Sequence, residues 1–289
     1  MLGIPVLIRN TNHQVGAWLR DSRPPLGTNP SIQWVTAGET GSTLREYPSE
    51  SALKSNNVDA VYSLKMPFEG TGHLIYNHSL YYQQQGTWKM VRFDLHQRQV
   101  IAVNSVHPHG TRYYGMERLF KDRTGAIKFM ADETGMWILY ATHRDPLRMD
   151  SLDGDWNNQD VMFLAKIDPQ WMQIEKEFKL KVPMSYRGNG FMVCGTLYLV
   201  RTSTRLKTDI PWAFDAYTER EIQPQPKLHF KNPYGNCSQV QYMPGQDRIL
   251  MFDSGRIVTY ALRLNNNRGL QGRDASRKIH KRHGIRGGK

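Results

Sequence analysis

Five short aromatic or aliphatic runs, each answered after a turn or loop by a second such run, constrain this chain more than any other feature. Ala17-Trp18-Leu19-Arg20 is answered by Ile32-Gln33-Trp34-Val35, and Ser79-Leu80-Tyr81-Tyr82 by Met90-Val91-Arg92-Phe93-Asp94-Leu95. Trp137-Ile138-Leu139-Tyr140 is answered by Val161-Met162-Phe163-Leu164-Ala165, and Thr196-Leu197-Tyr198-Leu199-Val200 by Trp212-Ala213-Phe214-Asp215. Arg248-Ile249-Leu250-Met251-Phe252 is answered by Ile257-Val258-Thr259-Tyr260. With Trp18, Leu80, Ile138, Leu197 and Leu250 as markers, the spacings are 62, 58, 59 and 53 residues. That period is too long for a helical solenoid. It fits a four-stranded sheet with generous loops, the unit of a β-propeller blade. The expected fold is therefore all-β, a five-bladed β-propeller over residues 1–264. The alternative is a pair of β-sandwich domains divided near the polar 144–160 loop. The period persists across that loop, which favours the propeller.

The third unit contains the clearest hairpin. Strand-like runs at 127–131 and 136–141 flank an Asp132-Glu133-Thr134-Gly135 turn. Glycine supplies backbone freedom there, and the aspartate can accept from neighbouring amides. Trp137 to Tyr140 run together without alternation, as in a strand covered on both faces. Helix signals are scarce: Ser49-Glu50-Ser51-Ala52-Leu53 makes one helical turn, and residues 168–173 read as a turn between strands.

The formal net charge is +12, but residues 265–289 carry eight Lys/Arg against Asp274, a local +7 that leaves +5 for the rest. That tail has no apolar periodicity and is expected to be disordered, either solubilising or able to attach to polyanionic glycan. The body is too mildly basic to predict specific nucleic-acid binding. No run of about 18 uncharged apolar residues is present, so no membrane span is expected. The N-terminal Met1-Leu2-Gly3-Ile4-Pro5 lacks a basic region and is not read as a signal peptide.

The residues also resemble a known family. Val15-Gly16-Ala17-Trp18-Leu19-Arg20-Asp21, Glu69-Gly70-Thr71-Gly72-His73, Ala131-Asp132-Glu133-Thr134-Gly135-Met136-Trp137, Asn189-Gly190-Phe191-Met192-Val193-Cys194-Gly195-Thr196-Leu197-Tyr198 and Tyr242-Met243-Pro244 occur in order. Over roughly residues 10–264 the chain resembles the olfactomedin domain. The resemblance implies a five-bladed propeller, secreted and extracellular, that binds matrix, adhesion or cell-surface signalling proteins without enzymatic activity. It also implies a buried calcium ion, often beside a sodium ion, in the central channel. Here the two calcium-binding acids of the family fall on Lys128 and Gln241. Asn189 is retained, Gly190 and Val240 fall where carbonyls are lent, and Asp132 matches the acid of the sodium site. Calcium affinity depends on anionic oxygens, so no cofactor is expected. Instead the Lys128 ammonium is expected to replace the metal, donating to Asn189, Gln241 and Asp132.

The resemblance further implies a disulfide between an N-terminal cysteine and Cys194, but no cysteine precedes Cys194 in this chain. Cys194 reads as a buried small hydrophobe beside Val193, with a Cys194–Cys237 bridge as the alternative. Asn77-His78-Ser79 and Asn236-Cys237-Ser238 are glycosylation patterns, making Asn77 and Asn236 candidates on the secretory route. His107, His109, His280 and His283 lack zinc spacing. The acidic 145–160 loop lacks the glycine and glutamate of a calcium-binding hand. A glycoside hydrolase built on Glu69, Asp132, Glu133, Asp215 or Asp253 is the alternative function. For partner contacts, the loop candidates are Arg112, Tyr113, Tyr114, Arg144, Trp156 and Arg205.

Overall fold

The computed structural model describes residues 3–106, 113–116, 118–144 and 161–263, with side chains at 113–116, 143, 144 and 184 excepted. The acidic loop, the basic tail, Arg112 and Trp156 lie outside the described residues.

The first strand, β1 (Val6–Asn10), belongs to the last sheet. The next seven form one continuous sheet in chain order: β2 (Gly16–Arg20), β3 (Gln33–Ala37), β4 (Thr40–Tyr47), β5 (Ala60–Tyr76), β6 (Ser79–Gln84), β7 (Lys89–Asp94) and β8 (Gln99–Ser105). The long β5 serves two units. Up to Glu69 it pairs with β4, and from Leu74 it pairs with β6 in continuous register. The seven strands are thus two four-stranded units sharing a bent strand.

The third unit is β10 (Ile127–Asp132), β11 (Gly135–Arg144), β12 (Val161–Ile167) and β13 (Ile174–Leu180), with β9 (Tyr113–Met116) added on β11. The fourth is β14 (Asn189–Val193), β15 (Thr196–Val200), β17 (Trp212–Asp215) and β18 (Arg220–Ile222). A side ribbon pairs β16 (Lys207–Ile210) with β19 (Leu228–Lys231). The fifth unit is β20 (Cys237–Met243), β21 (Arg248–Asp253) and β22 (Arg256–Ala261), completed on its outer edge by β1. One short helix, α1 (Glu50–Ser55), follows β4. Ser49 caps it by accepting from Ala52 N at 3.1 Å, and Asn56 ends it in the left-handed conformation.

Burial explains why these units form a ring. Each buried core lies between two neighbouring units. Leu44 and Phe68 meet Leu80 and Val91 between the first and second, and Leu74 and Tyr81 meet Phe129 and Ile138 between the second and third. Trp137 and Leu139 meet Leu197 and Trp212 next, then Phe191 meets Val240 and Ile249, and Trp18 meets Leu250 and Phe252 to close the circle. Successive residues of one strand therefore feed two different cores. Trp137 and Leu139 face one way and Ile138 and Tyr140 the other, which accounts for the unbroken apolar run. This closed ring of face-packed sheets is a β-propeller, and a division into sandwich domains is excluded.

Four of the five sequence markers sit on the second strand of their unit. Trp18 sits on the innermost strand of the first unit instead. That shift by one strand accounts for the longest of the marker spacings.

Candidate functional site

The innermost strands β2, β5, β10, β14 and β20 adjoin one another around the centre. Among the described residues, apart from the shared β5 and a single Asp21–Ile75 bridge, no strand ladder joins one unit to the next, so side chains add cross-ties at the centre. Close approach is enforced by glycine. A Cβ on Gly72 would lie 2.6 Å from Ile127 O and 2.7 Å from Lys128 Cα, so only glycine lets β5 lie against the start of β10.

Lys128, the second residue of β10, points inward and is 3% exposed. Its Nζ donates to Asn189 Oδ1 at 2.8 Å and to the Val240 carbonyl at 2.6 Å. One ammonium thereby joins β10 to β14 and β20. Asn189 Oδ1 also accepts from Gly190 N at 2.9 Å, which fixes its oxygen toward the lysine. The ring face of Phe120 lies 5.5 Å from Nζ. Burial draws the Lys128 pKa down to about 7, while two carbonyl acceptors and an aromatic face favour the charged form.

The loop before β10 roofs this site. Beside Phe120, the buried Arg123 reaches Glu39 Oε1 at 3.4 Å and Asn236 Oδ1 at 2.5 Å, and Lys121 N donates to Arg187 O at 2.9 Å. No local periodicity marks Phe120 or Arg123, so sequence reasoning missed them.

Two expected Lys128 partners are turned elsewhere. Gln241 accepts from Gln239 Nε2 at 3.1 Å and directs its own amide toward Ser22 Oγ at 3.5 Å. Asp132 lies at the opposite end of β10, about 13 Å away along the strand at ~3.3 Å per residue. Gly190 contributes an N–H, not a carbonyl, to the Asn189 oxygen.

Asp132 makes a second cross-tie. Its carboxylate accepts from Thr134 N at 2.9 Å, Thr134 Oγ1 at 2.7 Å, Trp137 Nε1 at 3.0 Å and Gly195 N at 2.5 Å. Glu133 accepts from Cys194 N at 3.0 Å and from the Tyr242 hydroxyl at 2.5 Å. The hairpin turn thus clamps both β14 and β20.

The cysteine expectations need correction. Cys194 is exposed, at φ 48° in a two-residue turn with Gly195 at φ 77°. This hairpin geometry requires left-handed backbone at both positions, and a Cys-Gly pair supplies it. Both thiols are free. A bridge is ruled out by direction: Glu133 ties Cys194 to the Tyr242 end of β20, whereas Cys237 begins that strand. Five residues of strand span about 16 Å, beyond the ~7 Å Cα separation a disulfide tolerates. Partial desolvation of its sulfur, despite the residue's exposure, and then the nearby Glu133 carboxylate push the Cys194 pKa up to about 12.

The two glycosylation patterns differ as well. Asn77 is exposed in the tight turn between β5 and β6, at φ 48°. Asn236 is half-buried, with its side-chain oxygen held by Arg123 and its N–H bound to Asp253 Oδ1 at 2.8 Å. Of the partner-contact candidates, Arg205 is exposed in the loop between β15 and β16 beside Leu206, which is 59% exposed. Tyr113, Tyr114 and Arg144 are described as backbone of β9 and β11 only. Among the described residues, no group of three or more His, Cys, Asp or Glu side chains is arranged to hold a metal, and no helix is long and apolar enough to cross a membrane.

The family model for the olfactomedin-like domain matches residues 1–267. Rabbit (Oryctolagus cuniculus) myocilin is 28% identical over 272 residues, covering 91% of this chain and 51% of that protein. Olfactomedin-like protein 3 of Xenopus tropicalis is 28% identical over 268 residues, covering 90% of this chain and 59% of that protein. The chain therefore spans roughly half the length of these relatives. Among solved structures, the glutaminyl cyclase of Myxococcus xanthus aligns with 90% of this chain and 94% of its own at TM-score 0.46 and 13% identity, a likeness too distant to speak to activity.

Proposed function

Because the chain belongs to the olfactomedin-like domain family, we propose that it is a non-enzymatic extracellular binding module for a matrix or cell-surface protein. The observation that carries this reading is the loop ahead of β16. The fully buried Asn232 holds that loop from below, donating from Nδ2 to Thr202 O at 2.9 Å and Arg205 O at 2.8 Å, and from its backbone N–H to Leu206 O at 3.0 Å. Arg205 and Leu206 are thereby presented outward on a backbone already ordered. A pre-organised loop loses little entropy on binding, and an arginine beside an aliphatic side chain suits a protein surface.

The carboxylates a glycoside hydrolase would use are engaged elsewhere. Asp132 and Glu133 clamp neighbouring strands. Asp215 accepts from Tyr217 N at 2.9 Å, and Asp253 from Tyr234 N and Asn236 N at 2.8 Å each. Glu69 accepts from Gly86 N at 2.7 Å. On the secretory route the exposed Asn77 is the better-placed glycan acceptor, and the half-buried Asn236, with Oδ1 against Arg123, is the poorer one. The 265–289 tail adds attachment to polyanionic glycan, so its deletion is expected to abolish heparin retention with the propeller intact.

The test is binding of the purified, multimerised chain to a panel of matrix and cell-surface ectodomains. A specific partner lost in an Arg205→Glu/Leu206→Asp variant supports the module. Turnover of an aryl-glycoside panel, abolished by Asp132→Asn, would replace it with the hydrolase reading.

A further inference from the structure

We propose that Lys128 is a built-in substitute for a metal ion: its ammonium occupies the cation position at the centre of the ring and ties β10, β14 and β20 together in the metal's place. The oxygens converging there are the Asn189 carboxamide and the Val240 carbonyl, at 2.8 and 2.6 Å from Nζ. Both are neutral, and both already accept a lysine proton. Calcium takes six to eight oxygens, with carboxylates setting the affinity. Among the described residues no carboxylate bonds to Nζ: Asp132 faces four N–H and O–H donors at the far end of β10, and Gln241 is neutral and turned toward Gln239 and Ser22. A divalent ion therefore fits the site neither by charge nor by donor set.

The ammonium fits it in both respects. Its hydrogens point at two fixed oxygens on two different strands, and its charge lies against the Phe120 ring face, 5.5 Å from the centroid. The surroundings are built to seat it. Asn189 is locked by Gly190 N with its oxygen inward, and Gly72 leaves room for the backbone at Lys128. A covalently attached cation also cannot dissociate. The cross-tie that a metalloprotein loses in low calcium or in chelator is permanent here. None of this depends on what the outer loops bind, so the binding-module reading can fail while this one stands.

The experiment compares thermal melting of the full chain in chelator and in millimolar calcium chloride, with calorimetric titration of calcium chloride alone. Wild type, Lys128→Met and Lys128→Asp/Gln241→Asp are measured side by side. The wild type is expected to melt at one temperature in both buffers and to release no binding heat. Lys128→Met is expected to melt several degrees lower in both, because the ties from β10 to Asn189 and Val240 are lost and a metal cannot replace them. If it folds, the double variant is expected to melt higher in calcium than in chelator. A calcium-dependent rise in the wild type, or a Lys128→Met variant melting at the wild-type temperature, overturns the proposal. Those two proteins decide it whether or not the double variant folds.

Discussion

The two ends of β10 solve one problem with opposite chemistry. At the leading end a buried cation donates to oxygens of β14 and β20. At the trailing end the carboxylates of Asp132 and Glu133 accept from N–H groups of the β14–β15 turn and from a hydroxyl on β20. Beyond the first two units, which share β5, neighbouring units pack face to face with no common ladder among the described residues, so the innermost strands arrive at the centre with polar groups to satisfy. The Val240 carbonyl and the Asn189 side-chain oxygen call for a donor. Turn N–H groups, left over where a hairpin reverses, call for an acceptor. The sign of each cross-tie follows from which end of the strand it serves.

The largest expected effect tests the trailing end. Asp132→Ala strips the acceptor from four donors, including the Trp137 indole and Gly195 N. A loss of about 3–5 kcal/mol is expected in urea unfolding. Asp132→Asn should recover part of it, since one carbonyl oxygen remains; equal losses would mean that the charge, not the acceptor, matters. At the leading end, Lys128→Met should cost about 2–4 kcal/mol. The Val240 carbonyl and Asn189 Oδ1 each lose a donor, at ~1–3 kcal/mol apiece and less at Asn189, which keeps Gly190 N, and this is offset by the charge no longer being desolvated. A loss there larger than at Asp132 would reverse the ranking of the two ties.

His73, also on an innermost strand, is the case with no tie. It is fully buried against Phe68 and Tyr82, neither ring nitrogen has a hydrogen-bond partner, and burial lowers its pKa to about 3. The folded pKa lies below the unfolded value, so the unfolded chain gains the proton first as pH falls. Stability is complete above the unfolded value near 6.5 and drops by up to about 1.4 kcal/mol per pH unit between there and about 3. His73→Leu should flatten that slope in acid titrations followed by circular dichroism, and an unchanged slope would show that His73 does not set it.

The smallest effect separates the two turn acids. Glu133 is exposed, so Glu133→Gln should shift stability by no more than about 1 kcal/mol. The same change removes a carboxylate that holds the Cys194 thiol protonated, so iodoacetamide should label Cys194 several-fold faster at mildly alkaline pH. The fully buried Cys237 serves as the unreactive control. No acceleration would mean that burial alone sets the thiol's pKa.

The fold was legible because alternating strand faces feed two cores, and that leaves paired apolar runs at a steady spacing. The markers failed at Trp18, where the innermost strand of the first unit is as apolar as the second strands elsewhere. The pairing of β16 with β19 left no signal, because its two short strands are separated by β17 and β18 in the chain. At the centre, Lys128 stood out only against the family resemblance, since a lone lysine in a strand looks like any solvent-facing one. Of its three expected partners Asn189 is one, while Gln241 and Asp132 turn elsewhere, because position in the chain does not say which way a side chain turns. Cys194 was misread from its apolar neighbour Val193, although Cys194-Gly195 between two pairing runs carried the turn signal.

The place of β1 on the outer edge of the fifth unit has a consequence for how the chain matures. Val6 pairs with Thr259, and β1 precedes every other described strand while β22 follows them all. During synthesis β1 leaves the ribosome long before its partner exists. The units can assemble one after another, but the circle stays open until the fifth is made. Closure then rests on a contact spanning nearly the whole described chain, the kind of non-local pairing that makes folding slow. Until that moment β1 offers an unpaired edge to any passing strand, as does β22 once it is made. A lesion in β1 would prolong the interval before closure while leaving the central cross-ties untouched.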